Sequence, residues 1–292
     1  MQLDTNQLQD LCDIAIEAAN KAGRYIFSNH QKDFKVKTKT GVKSKASQVV
    51  TEVDINSQKI IVDTLQESIK KFDLGILTEE SDDNGERLEK DYFWCVDPLD
   101  GTLPFTEGKT GYSVAISLIA LSGDPVIGVI YDPVRNKLYH AIKGFGVFRN
   151  KEKWVIKTKI TNNLNFYYNR SFKKLNTFSA VIENLEKFAD QKNLNQLQVE
   201  QAGGAIMNAI TALENTPSCF FALPKNDLGG GSFWDYAPTA CIYIESGLPV
   251  TDIFGKPLNF NKPETTFMNH CGVLFASSEE IAIHIQDLYK KL

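Results

Sequence analysis

Acidic residues at the ends of short apolar runs are the part of this sequence best suited to chemistry. In the most informative segment, an apolar run, Trp-Cys-Val, leads into Asp97 and Asp100, which are three residues apart. Pro98 fixes its own backbone angle and Gly101 permits a sharp change of direction, so both carboxylates can turn toward one point. The Leu99 carbonyl lies between them in the chain. Oxygen ligands that converge in this way suit a hard cation such as Mg²⁺.

Three other acidic sites could contribute to the same centre. Asp54 follows Val-Val-Thr-Glu-Val, Glu79 and Glu80 follow Gly-Ile-Leu-Thr, and Asp235 follows a tryptophan where a helix is predicted to begin. Each acidic site also has an ordinary explanation. Aspartate favours helix N-caps, Glu-Glu-Ser-Asp-Asp is typical of an exposed turn, and Asp-Pro-Leu-Asp could form a type I turn. None of these sites identifies the chemistry by itself.

The elements that must position these acids divide the chain into two predicted parts. Over residues 1–150, two helices precede a series of short apolar runs, which are typical of strands in one antiparallel or mixed sheet. Over residues 151–292, strand-like and helix-like segments alternate, which indicates helices layered on a second sheet. The first part carries most of the acidic sites and the second carries Asp235. The predicted fold class is therefore a layered sandwich of the α+β or α/β type.

Apolar periodicity and turn residues give the predicted bounds of the individual elements. Helices are predicted over 6–30, from just after Asp54, which is the expected N-cap, to about 71, and over 177–190, 204–214, 235–246 and 278–291. Strands are predicted over 75–78, 92–96, 112–121, 126–131, 137–142, 145–149, 164–169, 197–201 and 218–223. The segment 35–48, rich in Lys, Thr and Ser, is predicted to be a basic loop or irregular hairpin.

Composition and charge exclude several classes of protein. The chain has 292 residues, 42% hydrophobic and 23% charged, which is ordinary for a globular protein with a substantial core. The formal net charge of −4 offers no strong positive field to a nucleic-acid polymer. The five cysteines contain no CxxC pair, so neither a zinc site nor a disulfide framework is indicated. The four histidines lie away from the acidic motifs, so a mechanism through a phosphohistidine is not indicated either. No signal-peptide pattern or membrane-length apolar run is present, so we expect a cytoplasmic protein without membrane contact.

Taken together, the acidic motifs resemble those of the inositol monophosphatase superfamily of Li⁺-sensitive, Mg²⁺-dependent phosphatases. The family signatures are an acid after Val-Thr-x-x, Glu-Glu-Ser after an apolar strand, Asp-Pro-x-Asp-Gly-Thr with an apolar third residue, and Trp-Asp opening a late helix. This sequence contains all four in that order, at 54, 79–81, 97–102 and 234–235. The resemblance covers nearly the whole chain and implies an αβαβα sandwich.

The resemblance also implies two or three Mg²⁺ ions and a set of oxygen ligands for them. The implied ligands are Glu79, Asp97 and the Leu99 carbonyl for the first ion, and Asp97, Asp100 and Asp235 for the second. A third and weaker ion would lie near Glu79 and Asp54. Carboxylates in these numbers would balance the charge of two divalent cations.

The catalytic roles carried over from the family concern an attacking water and the phosphate. Thr102, hydrogen-bonded to Asp54, would polarise the water, and Glu79 would accept its proton. The backbone N–H groups of Gly101 and Thr102 would bind phosphate oxygens. Lys43 matches a family lysine on a loop near the phosphate, and a solvated basic turn is the alternative for it.

Substrate contacts in the family come from two segments of the second part. The first corresponds here to Gly203, Gly204 and Ala205, and the second to the loop before Trp-Asp, which contains Asp227. Inositol monophosphatases carry a glutamate seven residues before the aspartate of Trp-Asp, and here that position is Leu228. An apolar residue there disfavours inositol, unless Asp227 substitutes through a shift of one residue.

The remaining departures concern the related subfamilies. The bisphosphate nucleotidases usually have Asp-Gly-Thr-Lys-Glu-Phe where this chain has Asp-Gly-Thr-Leu-Pro-Phe. Fructose-1,6-bisphosphatase activity would need basic residues to hold the second phosphate, and the segment 224–233 offers only Lys225.

The predicted function is hydrolysis of an inositol- or sugar-type monophosphate. A 3′(2′),5′-bisphosphate nucleotidase is the first alternative, and fructose bisphosphate is a distant third substrate. A catalytically silent relative that binds a phosphorylated ligand is an alternative of another class. The expected partner is a small phosphorylated metabolite, and both homodimers and single chains occur in the family.

Overall fold

The computed structural model describes residues 2–30, 36–38, 49–157, 159–227, 229 and 231–292. Within these ranges the chain forms seven α-helices and fourteen β-strands. The helices are α1 (Thr5–Asn29), α2 (Glu52–Phe72), α3 (Thr102–Thr106), α4 (Phe178–Gln191), α5 (Ala205–Glu214), α6 (Phe233–Glu245) and α7 (Glu279–Tyr289). The strands are β1 (Val36–Thr38), β2 (Val49–Thr51), β3 (Gly75–Thr78), β4 (Tyr92–Asp100), β5 (Ser113–Ala120), β6 (Pro125–Asp132), β7 (Lys137–Ile142), β8 (Gly146–Arg149), β9 (Glu152–Lys153), β10 (Leu164–Tyr167), β11 (Leu197–Glu200), β12 (Ser218–Ala222), β13 (Val250–Thr251) and β14 (Val273–Ala276).

Strand pairing gives two mixed sheets and a short ribbon formed by β1 and β2. The first sheet has the order β3-β4-β5-β6-β7-β8-β9, and it is antiparallel except for the parallel pair β3 and β4. The second sheet has the order β11-β10-β12-β14-β13, with β10 parallel to both of its neighbours. Because β3 and β4 are parallel, their carboxyl ends meet at the same edge of the first sheet. That edge carries Glu79 and the aspartates of β4.

Helices cover both faces of both sheets, so the chain forms five layers. Helices α1 and α2 pack on one face of the first sheet and share a buried cluster with Trp94 and Val96. Helices α5 and α6 lie between the sheets and share a cluster with residues of both. Helices α4 and α7 pack on the outer face of the second sheet. The predicted layered fold, including the αβαβα order that the resemblance implies, is confirmed.

Helix α1 lies close to the first sheet because its buried face consists largely of small residues. The buried residues of α1 are Leu11, Cys12, Ala15, Ala18, Ala19, Ala22, Gly23 and Ile26. A Cβ atom added at Gly23 would lie 2.3 Å from a ring carbon of Tyr131, so only glycine fits at that position. Asp4 caps the helix and forms a capping box with Gln7, which fixes where the helix begins.

The two predicted parts correspond to the two sheets only approximately. The first sheet continues to Lys153 and the second begins at Leu164, whereas the predicted boundary lies at residue 150. Helices α5 and α6, which follow that boundary, complete the core under the first sheet. We retain the division into 1–150 and 151–292 as a proposal. No helix in the described ranges is long and apolar enough to cross a membrane.

Candidate active site

A β-bulge in β4 brings Asp97 and Asp100 to the same side of the first sheet. Asp97 pairs with Ala115 and Asp100 pairs with Ser113, so three steps along β4 match two steps along β5. Side chains of a regular strand alternate between faces, and residues three apart would therefore point to opposite faces. The extra residue in β4 cancels this alternation, and it falls beside Pro98, which a bulge accommodates. The predicted strand 92–96 was too short, because β4 continues through the proline to Asp100.

Hydrogen bonds hold the backbone between the two aspartates. The Leu99 N–H donates to Asp97 Oδ1 at 3.0 Å, and the Pro98 carbonyl accepts from Ser57 Oγ at 2.8 Å. Thr102 Oγ1 lies 3.2 Å from the Leu99 carbonyl. The predicted carbonyl ligand of Leu99 is thus fixed close to the aspartates on either side of it.

Asp54 and Asp235 occupy equivalent positions in capping boxes at the starts of α2 and α6. Asp54 Oδ2 accepts from the Thr51 N–H at 2.8 Å and from Thr51 Oγ1 at 2.5 Å. Asp235 Oδ2 accepts from the Ser232 N–H at 2.5 Å. Each aspartate is the third helical residue, and the residue three positions earlier is the N-cap. The prediction that Asp54 caps α2, and the capping alternative for Asp235, were therefore wrong by three residues.

Thr102 connects Asp54 to the bulge of β4. Thr102 Oγ1 lies 2.9 Å from Asp54 Oδ1, and both side chains are buried. Asp54 therefore accepts hydrogen bonds at both oxygens, from Thr51 at one and from Thr102 at the other. Gly101, which precedes Thr102, has a φ of 85°, a left-handed conformation that glycine adopts without strain. The structure thus places the predicted catalytic pair Asp54 and Thr102 in direct contact.

Carboxylates from three separate elements meet at the carboxyl edge of β4. One oxygen each of Asp97, Asp100 and Asp235 lies within 4.8 Å of the others. Glu79 follows β3, its N–H donates to the Val96 carbonyl at 3.1 Å, and its carboxyl group forms a hydrogen bond with that of Asp97. All four predicted metal-ligand carboxylates are therefore adjacent.

Burial and neighbouring carboxylates disfavour the charged forms of Asp54, Asp97 and Asp100. Burial raises the pKa of Asp97 well above its usual range, and the negative charges of Glu79, Asp100 and Asp235 raise it further. Burial also raises the pKa of Asp100, with Asp235 as the largest charge contribution. Burial raises the pKa of Asp54 to about 6, against the opposing effect of its hydrogen bonds from Thr51. Cations among these carboxylates would relieve both effects.

The donor set fits Mg²⁺ better than a transition metal. The buried carboxylates and the Leu99 carbonyl offer only oxygen atoms, which hard divalent cations prefer, and the cluster of Asp97, Asp100 and Asp235 contains neither imidazole nor thiolate. The closeness of several buried carboxylates is itself a reason to expect cations, because carboxylates left without counter-charge in a protein interior are energetically costly.

Asp100 also accepts hydrogen bonds from the N-terminus of α5, a contact that the sequence did not predict. Asp100 Oδ1 accepts from the Ala205 N–H and Oδ2 accepts from the Ile206 N–H, both at 3.1 Å. A Cβ atom added at Gly204 would lie 2.3 Å from Asp100 Oδ2, so the helix can approach the carboxylate only with glycine there. The predicted substrate segment of Gly203, Gly204 and Ala205 is thereby placed directly beside the acidic cluster.

Glycines allow the backbones of the two parts to touch next to this contact. The Gly204 N–H donates to the Gly111 carbonyl at 2.9 Å. A Cβ atom added at Gly203 would lie 1.9 Å from the same carbonyl oxygen, and one added at Gly101 would lie 2.8 Å from it. The Gly111 carbonyl is therefore enclosed by three glycines, all of which belong to the predicted phosphate and substrate segments.

The remaining predicted site residues lie elsewhere or outside the described ranges. Asp227 is exposed, and its backbone carbonyl accepts from Asn269 Nδ2 at 3.2 Å. A cavity of about 520 Å³ lies beside this loop, and none of the clustered carboxylates lines it. The residues that line it are Pro224, Lys225, Asn226, Asn269, His270 and Tyr289. Lys43 and Leu228 lie outside the described residues, so their predicted roles stay predictions.

Three supporting residues were missed by sequence reasoning although two carried a recognisable signal. Thr51 and Ser232 each precede an aspartate by three residues, which is the pattern of a capping box. Asn208 is fully buried, and its Oδ1 accepts from the Ala202 N–H at 2.7 Å and the Gly203 N–H at 3.3 Å. Nothing in the local sequence marks Asn208, because its partners become neighbours only when α5 packs.

The family of this chain follows from its sequence as a whole. A sequence profile of the inositol monophosphatase family matches residues 7–290. This chain belongs to the inositol monophosphatase family. The resemblance recognised from the four acidic motifs is confirmed.

Curated relatives of this chain carry more than one functional name. The fructose-1,6-bisphosphatase/inositol-1-monophosphatase of Thermotoga maritima is 27% identical over 263 residues, which cover 89% of this chain and 91% of that protein. The Nus factor SuhB of Pasteurella multocida is 35% identical over 152 residues, which cover 52% of this chain and 54% of SuhB. The alignment with SuhB therefore spans about half of each protein.

Solved structures of the inositol monophosphatase family share this fold over almost the whole chain. The inositol monophosphatase from Anabaena (Nostoc) sp. PCC 7120 superposes with a TM-score of 0.72 at 22% identity, covering 98% of this chain and 97% of that one. An IMPase/NADP phosphatase complexed with Mg²⁺ and phosphate superposes with a TM-score of 0.68 at 18% identity, covering 95% of each chain. At these identities the likeness concerns the fold.

Proposed function

We propose that this member of the inositol monophosphatase family is a Mg²⁺-dependent phosphatase that hydrolyses the phosphate monoester of a small polar metabolite. The observation that carries the proposal is the meeting of Asp97, Asp100 and Asp235 within 4.8 Å, with Glu79 hydrogen-bonded to Asp97. Four carboxylates so close together are stable in their charged forms only with cations between them. A phosphate monoester dianion needs the same cations in order to accept a nucleophile.

The proposed ligands follow from the positions of the carboxylates. Glu79, Asp97 and the Leu99 carbonyl would hold one Mg²⁺, and Asp97, Asp100 and Asp235 would hold another. A third ion, if present, would lie toward Asp54. Bound Mg²⁺ would neutralise the phosphate oxygens, lower the pKa of a bound water and stabilise the departing alkoxide.

The chain's own groups would orient the water and hold the phosphate. Asp54 is fixed by Thr51 on one side and accepts a hydrogen bond from the Thr102 hydroxyl on the other. Since the hydroxyl proton is engaged, the lone pairs of Thr102 Oγ1 are left to accept a hydrogen bond from the attacking water. Glu79 is the proposed proton acceptor, because it belongs to the same cluster. The backbone N–H groups of Gly101 and Thr102 are the proposed donors to the phosphate.

Replacing Thr102 with Val is expected to lower kcat by about 10- to 100-fold, the usual cost of losing a group that orients a metal-bound species. Valine keeps the shape of threonine but lacks the hydroxyl that contacts Asp54, so the fold and Mg²⁺ affinity should change little. Steady-state phosphate release and Mg²⁺ titration measure the two quantities. Thr106→Val in the same helix is the control, because within the described residues the Thr106 hydroxyl bonds only the Leu103 carbonyl, at 2.9 Å. Equal kcat values for the two variants would exclude this role for Thr102.

The substrate is proposed to be an inositol- or sugar-type phosphate, with a 3′(2′),5′-bisphosphate nucleotide as the alternative. Solved relatives bind both an inositol phosphate and a nucleotide, since structures of SaIMPase-II include complexes with inositol monophosphate and with 2′-AMP, a nucleoside monophosphate. The discriminating experiment is phosphate release with Mg²⁺ from inositol monophosphates, sugar phosphates and 3′-phosphoadenosine 5′-phosphate. Removal of Mg²⁺ with EDTA should abolish release, and Li⁺ should inhibit it. Ligand binding without release from any compound would instead indicate a catalytically silent relative.

A further inference from the structure

One face of α2 contacts three separate segments of the proposed site. Ser57 and Gln58 lie three and four positions after Asp54, so the three side chains lie toward the same face of the helix. Asp54 contacts Thr102, and Ser57 donates to a carbonyl in the bulge of β4. Gln58 contacts the residues that directly follow Glu79. The helix that supplies Asp54 therefore also supports the segments that carry the other acids.

Both ends of the Gln58 amide hold the segment after Glu79. Gln58 Oε1 accepts from the Glu80 N–H at 3.0 Å, and Nε2 donates to Ser81 Oγ at 2.8 Å. A primary amide offers an acceptor and a donor, so one side chain can fix two successive residues. These hydrogen bonds span 22 and 23 positions of the chain, and they tie the segment after β3 to α2.

The Glu79 segment needs this support, because it lies at an edge and its carboxylate is repelled. Among the described strands, β3 is at the edge of the first sheet and pairs with β4. The carboxyl group of Glu79 lies against that of Asp97, and its negative charge also acts on Asp54 and Asp100. Like charges at this range repel one another. The repulsion would move Glu79 outward unless its backbone were held.

We propose that Gln58 is a positioning residue that holds Glu79 in place for the first Mg²⁺ through the two residues that follow Glu79. Gln58 acts on the backbone of that segment and contacts neither the substrate nor the ion. The second ion, whose proposed ligands lie on β4 and α6, would depend on Gln58 much less. This inference rests on the proposed phosphatase function and adds a residue to its machinery.

Replacing Gln58 with Met tests the proposal. Methionine has about the length of glutamine and favours helices, but it lacks the amide donor and acceptor. We expect one Mg²⁺ affinity, measured by calorimetric titration, to fall by about 10- to 100-fold, the usual cost of removing a group that orients a metal ligand. The other affinity should change much less. The rise in unfolding temperature that Mg²⁺ produces should become smaller, and the half-activating Mg²⁺ concentration should increase.

Two further variants separate positioning from a general effect on packing. Gln58→Glu keeps oxygen acceptors for the Glu80 N–H and for the Ser81 hydroxyl, which can rotate to donate. Its Mg²⁺ affinity should therefore lie closer to the wild-type value than that of Gln58→Met. Ser81→Ala removes one of the two hydrogen bonds and should weaken the same affinity. It should have no further effect in the Gln58→Met background, where its partner is already gone.

Gln66→Met is the matched control for Gln58→Met. Gln66 is exposed further along the same helix, so the substitution makes the same chemical change away from the Glu79 segment. Mg²⁺ affinity, phosphate release and unfolding temperature should all stay at their wild-type values. Thermal unfolding curves show which variants are folded, and Ser81→Ala decides the matter if Gln58→Met does not fold.

The outcomes distinguish the role of Gln58 from the phosphatase function. Wild-type affinity for every ion in Gln58→Met would refute the positioning role, and so would an equal loss at every ion, which indicates general loosening. The phosphatase function stands in both cases. If the wild type binds no Mg²⁺ and releases phosphate from none of the compounds named above, the phosphatase function fails and the role of Gln58 with it.

Discussion

Replacing Asp97 with Asn is expected to lower Mg²⁺-dependent phosphate release by more than about 100-fold, since even groups behind metal ligands cost about 10- to 100-fold when removed. Asp97 is the proposed ligand common to both ions, and asparagine keeps its shape and the oxygen that accepts from Leu99 while removing its charge. The same change should raise the unfolding temperature of the Mg²⁺-free protein at pH 7 to 8. The measurements are phosphate release and thermal unfolding in EDTA.

The stability effect follows from the sign of the pKa shift at Asp97. Burial and neighbouring carboxylates raise the pKa of Asp97 in the folded protein above that of the unfolded chain. Its stabilising contribution is therefore complete below the unfolded pKa and is lost as the pH rises through the folded pKa. Above that pH the fold must hold a buried charge, which asparagine lacks. Added Mg²⁺ should stabilise the wild type at pH 8 and the variant much less.

The control for Asp97 is an aspartate of the same charge outside the site. Asp63 is exposed on α2, and Asp63→Asn should leave both phosphate release and unfolding temperature unchanged. Near wild-type turnover in Asp97→Asn would show that the ligand assignment is wrong. Lost turnover together with a lower unfolding temperature would instead contradict the electrostatic account.

Replacing Gly204 with Ala is expected to lower kcat/KM by about 100-fold or more, because a displacement of about 1 Å at a catalytic group has that effect. The added Cβ would lie 2.3 Å from Asp100 Oδ2, so either the carboxylate or the start of α5 must move. The hydrogen bonds from Ala205 and Ile206 to Asp100 would then be strained or lost. Mg²⁺ affinity, measured by calorimetry, should fall together with activity.

The control for Gly204 is a glycine that has room for a methyl group. Gly247 follows α6 with a φ of 68°, and no atom of the described part of the chain lies within 4 Å of an added Cβ. Gly247→Ala should therefore cost about 1–2 kcal/mol of stability through its left-handed conformation and leave activity unchanged. If Gly204→Ala kept both activity and Mg²⁺ affinity, close packing at Asp100 would not matter for the site.

The layered fold was predictable from the sequence because burial imposes periodic patterns. Alanines spaced three and four apart mark the face of α1 that packs on the first sheet, and the short apolar runs correspond to its strands. The bounds of β4 were predicted less well. A proline usually ends a strand, and the bulge that admits Pro98 depends on pairing with β5, which the local sequence does not show.

The candidate site was predictable where its residues lie in short motifs and not where distant elements meet. Asp97 and Asp100 lie in one motif, and Glu79 and Asp235 lie in two other motifs. The resemblance to the family predicted that the residues of these three motifs form one site. The contact of Asp100 with Ala205 joins residues 105 positions apart in the chain. Such contacts arise from tertiary packing, and neither partner carries a local signal.

The enclosure of the Gly111 carbonyl by glycines has a consequence for how substrate enters. Gly111 belongs to the first part of the chain, whereas Gly203 and Gly204 belong to the second, and their backbones touch beside Asp100. Hinge opening between the two parts would break this contact and separate Asp235 from Asp97 and Asp100, so the proposed metal centre would be lost at each opening. We therefore expect the two parts to stay together during turnover. Substrate admission and product release then depend on side chains and loops at the rim.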